Sequence, residues 1–164
     1  MNQMVEVKVS GLAVDDRNKS PVVILQELKG TRVLPIWIGP SEASAIAMEL
    51  AGRKFERPLT HDLTKTILDG LGASIEKILI TELEGGTFFA KMVIPHGSAE
   101  VLAIDARPSD SIALALRSEA TIFADEALFS PDSGEEDLSE EDKAERLRRF
   151  LRDLPPEDFG RAGL

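Results

Sequence analysis

The stretch VLAIDARPSDSIALALR, Val101 to Arg117, decides the fold. Leu102, Ile104 and Ala106 alternate with Ala103, Asp105 and Arg107, the two-residue period of a strand, and Pro108 then opens an apolar run with helical spacing. Strand, polar turn and helix follow one another within a few residues. Asp105, Arg107, Ser109 and Asp110 therefore sit where a strand ends and a helix begins, beside unpaired backbone N–H groups and the positive end of the helix dipole.

Working outward, the same pattern occurs 68 positions earlier, where LPIWIGPSEASAIAMEL spans Leu34 to Leu50. Leu34, Ile36, Pro40, Ser41, Ala45 and Ala47 recur identically, and Glu42 recurs in kind as Asp110. Part of the match is ordinary capping chemistry, since a strand-to-helix turn favours Pro at the first helical position with Ser and an acid nearby. Small residues at equivalent helix positions go beyond that requirement, so the pattern predicts an internal duplication of a hairpin-helix unit.

At 164 residues with 43% hydrophobic content the chain is long enough for one domain with a substantial core. It has no run of 18 apolar residues, and its first residues go straight into an alternating strand, so a cytoplasmic protein without a membrane span is expected. The absence of cysteine excludes disulfides and thiolate metal sites, and only His61 and His96 remain as imidazole ligands. The formal charge of −10 argues against a broad phosphate-tracking surface, while leaving room for a local basic patch.

Met4 to Val9 alternates like a half-buried strand and Asp15 to Asn18 is a polar turn. Pro21 to Leu28 and Thr31 to Ile38 make a hairpin around Lys29 and Gly30, with Pro35 limiting the second strand's hydrogen bonding to an edge or irregular position. A first helix runs from about Ser41 to Ala51, and Gly52 stops it. Thr60 is the expected N-cap of a second helix, with Leu63, Ile67, Leu68 and Leu71 as its buried stripe and Gly72 as its end. Ala73 to Leu83, Thr87 to Ile94 and the Val101 strand form a meander, and Ala120 to Ala124 is a further short strand. The expected fold class is thus α/β (α+β): a single domain over 1–129, with a mixed, largely antiparallel sheet and three main helices. An acidic linker follows over 130–139. Residues 140–164 then form an amphipathic helix and tail, with Ala144, Leu147, Phe150, Leu151 and Leu154 on one stripe.

Three segments, LPIWIGPSEASAIAMEL, RPLTHDLTKTIL (Arg57 to Leu68) and IDARPSDSIALALR, carry a resemblance to the bifunctional nuclease domain family, over roughly Met4 to Phe129. The resemblance implies a self-associating α/β domain and nuclease activity on DNA or RNA, with nucleic acid as partner. The C-terminal residues LPPEDFGRAGL do not match the excision-repair motif that some relatives carry.

The candidate residues each have a structural reading beside the functional one. His61 and Asp62, with Asp105, are the candidate catalytic residues, although a His and an Asp at a helix start also serve as caps. Asp105 and Asp110 lie five apart across the turn, close enough to share one Mg²⁺ or Mn²⁺ through oxygen ligands, while Asp105 inside an apolar strand equally calls for Arg107 or Arg57 as an ion-pair partner. Arg57 and Arg107 are the candidate phosphate-binding residues, with Arg53 and Lys54 nearby. Trp37 reads as core or subunit interface. No Walker A sequence, nucleophile elbow or complete dinucleotide turn is present, so no organic cofactor is expected.

These readings predict a metal-assisted phosphodiesterase, an enzyme acting on DNA or RNA. A non-catalytic oligomeric module binding a small anion or a protein partner is the alternative. The apolar Ile112 to Leu116 helix and the mixed faces of Glu76 to Glu82 leave more apolar surface than a lone sheet layer of this size would readily cover, so a homodimer is expected, and Asp132 to Glu136 is expected to be poorly ordered.

Overall fold

The computed structural model describes residues 3–130 and 139–153. The acidic stretch 131–138, with most of the expected linker, and residues 154–164, with Leu154, lie outside the described residues. Among the described residues are seven strands: β1 (Met4–Val14), β2 (Pro21–Glu27), β3 (Val33–Trp37), β4 (Lys77–Glu84), β5 (Thr87–His96), β6 (Glu100–Ala106) and β7 (Thr121–Asp125). Four helices accompany them: α1 (Pro40–Leu50), α2 (Thr60–Gly70), α3 (Pro108–Ser118) and α4 (Glu140–Arg152). The strands form one open, mixed sheet in the order β3-β2-β1-β7-β4-β5-β6. The expected α/β class, the meander and the predominance of antiparallel pairs all hold, with β4 and β7 the parallel pair.

The chain divides into two compact units, Met1–Val7 with Arg57–Leu128, and Lys8–Glu56 with Phe129–Leu164. In the first, Ile78, Ile80, Ala90 and Ala124 are fully buried on one face of β4, β5 and β7, where α3 packs with Ile112 and Ala113. The run Ile112 to Ala115 is buried because small side chains let this helix approach the sheet closely. Truncating one such residue, Ile112→Ala, is worth about 2 to 5 kcal/mol by the usual cavity cost.

The second helix departs from its expected role. Leu63, Ile67 and Leu71 are 48, 52 and 78% exposed, and no residue of α2 is fully buried. Leu63, Ile67 and Leu71 have the helical period but face solvent, while Leu68 of the expected stripe is half-buried. The cap of α2 also shifts by one residue: Leu59 is the N-cap, Thr60 is already helical, and the Asp62 carboxylate accepts the Leu59 N–H.

In the second unit β2 and β3 pair antiparallel, with Ile24 opposite Pro35. Glu27 N–H donates to Arg32 O and Ile38 N–H to Pro21 O, so residues of alternate parity bond across the hairpin. Pro35 falls on the other parity, where a missing N–H costs nothing on the strand's free edge. Trp37 is half exposed rather than core, and its indole N–H donates to Asp15 Oδ2 at 3.0 Å. Helix α4 lies against α1, and Leu147, Phe150 and Leu151 are half-buried there, which agrees with the expected docking residues.

The two hairpin-helix units share connectivity. β2, β3 and α1 are followed 68 residues later by β5, β6 and α3, and both helices have eleven residues beginning at Pro40 and Pro108.

Candidate active site: an aspartate between a histidine and an arginine

β6 ends at Ala106, Arg107 is the extended N-cap of α3, and Pro108 supplies the first helical φ without sacrificing a bonded N–H. Asp110 then falls in the first turn, where the helix dipole favours its charge. His61 falls in the first turn of α2. The contact between these two helix starts makes the site, because His61 Nε2 lies 2.9 Å from Asp110 Oδ1. On the other oxygen, Arg107 donates its Nε at 2.9 Å and a terminal nitrogen at 2.8 Å to Asp110 Oδ2.

This geometry fixes a tautomer. An ionised carboxylate only accepts, so neutral His61 must carry its proton on Nε2, leaving the Nδ1 lone pair as the acceptor. No hydrogen bond to Nδ1 is made among the described residues. The arrangement can therefore hold a proton at Nδ1, with Asp110 orienting the ring and stabilising the imidazolium that results. Arg107 is largely exposed and lies beside it, a guanidinium suited to a phosphate oxygen.

A second ion pair braces the first. Arg117, 5% exposed along its side chain, donates Nε to Asp62 Oδ1 at 2.7 Å and Nη1 to Ala113 O at 2.9 Å. Burial works against the Asp62 charge, but Arg117 and the Leu59 N–H outweigh it and hold the carboxyl below the usual aspartate range. Asp62 thus ties the start of α2 to the last turn of α3, while its neighbour His61 reaches the first turn.

The structure brings together His61, Asp110 and Arg107, and Asp62 joins them through the helix pair. Asp105 is not brought to them. It is exposed on β6, opposite Lys91, on the sheet face away from Ile104 and hence away from α3. Neither Arg107 nor Arg57 pairs with it, so the expected internal salt bridge is corrected: β6 is an exposed edge strand, and a carboxylate there needs no partner. Arg57 is exposed in the connector and makes no ion pair among the described residues. Among the described residues no group of three or more His, Asp or Glu side chains is arranged to hold a metal.

Arg117 is the residue that sequence reasoning passed over. Its signal was available, since it is the one cation of an apolar helix and lies seven residues, two turns, after Asp110.

The sequence also has relatives among known proteins. The model of the bifunctional nuclease domain matches residues 23–136. The uncharacterized protein Rv1829 of Mycobacterium tuberculosis (strain ATCC 25618 / H37Rv) is 40% identical over 165 residues, covering 95% of this chain and 98% of the relative. The uncharacterized protein MT1877 of M. tuberculosis (strain CDC 1551 / Oshkosh) matches to the same extent. Bifunctional nuclease 1 of Arabidopsis thaliana is 24% identical over 115 residues, 68% of this chain and 35% of the plant protein. The chain belongs to the bifunctional nuclease domain family.

Proposed function

We propose that the protein is a phosphodiesterase acting on DNA or RNA, working as a homodimer in the cytoplasm. The observation that carries this reading is the His61–Asp110 contact with Arg107 on the same carboxylate. The family match and the distant similarity to a bifunctional nuclease support the substrate class. No described helix is long and apolar enough to cross a membrane, which is consistent with the proposed location.

In this reading Arg107 holds a phosphodiester oxygen at the N-terminal end of α3, and His61 Nδ1 takes the proton of the attacking hydroxyl or water. Asp110 keeps the ring in the reactive tautomer. Mg²⁺ or Mn²⁺ held by Asp105 and Asp110 is the other route that the sequence predicts. The donors do not fit it as they stand. Both Asp110 oxygens already face a nitrogen donor, one of them a fixed cation, and Asp105 lies on the opposite sheet face.

The test is cleavage of single- and double-stranded DNA and RNA by highly purified protein, with Mg²⁺, Mn²⁺ or chelator, beside separate His61→Gln and Asp105→Asn variants of verified fold. Loss of a general base is expected to cost about 10²- to 10⁴-fold in rate for His61→Gln, with Asp105→Asn unaffected. Metal-dependent cleavage abolished by Asp105→Asn would instead establish the metal route. Cleavage by none of the preparations would favour a non-catalytic module that binds a small anion or a protein partner.

A further inference from the structure

The free edge of β6 is unlike the other edge of the sheet. β3 and β6 end the strand order, and they occupy equivalent positions in the duplicated unit. β3 carries Pro35 at its centre, with its nitrogen turned outward, a common way of blocking further strand addition. The residue 68 positions on is Ala103, at the centre of β6. Protection present on one edge is absent from the other.

The backbone of β6 is also oriented to bond outward at that residue. Glu76 N–H donates to Val93 O, so the polar groups of Val93 face β4. Ala103 is opposite Val93, which makes this a non-bonded pair on the β6 side and turns the Ala103 N–H and C=O toward the free edge. Val101 and Asp105 share that parity. Leu102 and Ile104, 41 and 39% exposed, lie on the face that continues the buried surface under α3.

We propose that a second copy of this chain adds its own β6 antiparallel to this one, with the two Ala103 residues facing each other on a two-fold axis. The inference rests on the homodimer reading above and names its interface. The sequence is self-complementary in that register. Ala103 pairs with Ala103 through two backbone hydrogen bonds, Leu102 of each copy faces Ile104 of the other, and Val101 faces Asp105. Glu100 of each copy meets Ala106 of the other, one residue from the exposed cation Arg107. In a protein with a charge of −10, no acid of β6 then faces another acid. The two Asp105 residues stand four residues apart along the strands, about 14 Å and beyond a Debye length at physiological salt. This register also brings the end of β6 that carries Arg107 and Asp110 beside the partner, so the candidate site lies next to the interface.

The chain has no cysteine, which makes the register directly measurable. Full-length Ala103→Cys and Val101→Cys variants are treated with a short bis-maleimide whose reach is about two strand spacings, ~10 Å. In the proposed dimer the two substituted positions at 103 are about 5.5 Å apart between Cα atoms, whereas those at 101 are about 14 Å apart. At ~10 µM protein, cross-linking of Ala103→Cys is expected to be about a hundredfold faster than that of Val101→Cys, reflecting a millimolar effective concentration. Light scattering on the wild type should give twice the chain mass, and Ala103→Pro should give the monomer mass with its circular dichroism unchanged. Should Ala103→Pro fail to fold, cross-linking decides the matter alone. A wild-type dimer in which the two cysteine variants cross-link equally slowly would overturn the β6 interface and leave the homodimer standing. A wild-type monomer at this concentration would overturn both and leave the edge for an extended peptide of another protein.

Discussion

At the scale of the residue, the two helix starts differ in which partner each carboxylate has. Asp62 and Asp110 are alike in sequence context, each in the first turn of a helix, yet Asp62 is taken by a buried arginine and Asp110 by a histidine and an exposed arginine. The first arrangement is a brace, and the second leaves the His61 Nδ1 lone pair without a hydrogen bond among the described residues and a guanidinium largely exposed. Arg117→Met is expected to destabilise the fold by roughly 1 to 3 kcal/mol, the usual cost of a lost charged hydrogen bond with a stranded partner, as read by urea unfolding. The brace also has a defined pH dependence. Because the folded Asp62 carboxyl is held below its ordinary value, its contribution is complete above the unfolded value near 3.9, within about a unit, and is lost as pH falls through the lower folded one. Thermal unfolding of wild type and Arg117→Met should therefore differ at pH 7 and converge toward pH 2; a constant gap would remove Asp62 from the brace. None of this was legible from Asp62 alone. Sequence spacing identifies a capping acid, but its long-range partner depends on how two helices cross.

At the scale of the element, periodicity reported shape faithfully and environment poorly. The stripe of Leu63, Ile67 and Leu71 is helical as expected, yet it faces solvent, since a 3.6-residue period shows that a face exists and not what covers it. Ile67→Ser is accordingly expected to change stability by less than about 0.5 kcal/mol, as an exposed substitution does, whereas a buried stripe would lose several times more. The strands were read more securely. Pro35 limits β3 to an edge or an irregular position because it has no N–H, and β3 is an edge strand; the Pro-Ser-acid turns locate both helix starts to within a residue. Asp105 departs from expectation because an apolar strand at a sheet edge need not be buried. All of β6 before Ala106 is exposed, and an edge strand can carry a carboxylate without a partner.

At the scale of the whole molecule, the duplicated hairpin-helix unit gives two versions of one strand-to-helix turn, and only one of them carries the site. Gly39 stands where the second copy has Arg107, and Ala43 to Leu50 offer no counterpart to Arg117, which Glu49 replaces. The contact of His61 and Arg107 with Asp110 is therefore confined to the second copy and is completed by α2, an element the duplication does not supply. The family placement was legible from three motifs, because their combination is not demanded by any general rule of folding; the contact at the candidate site was not, because His61 and Asp110 are 49 residues apart. The most direct measurement of the central claim is the rate of nucleic-acid cleavage by wild-type protein and by folded His61→Gln in the presence of chelator. The wild type is expected to cleave, with the rate falling by at least about a hundredfold in the variant, the contribution of a positioned base. Equal rates for the two proteins would contradict it.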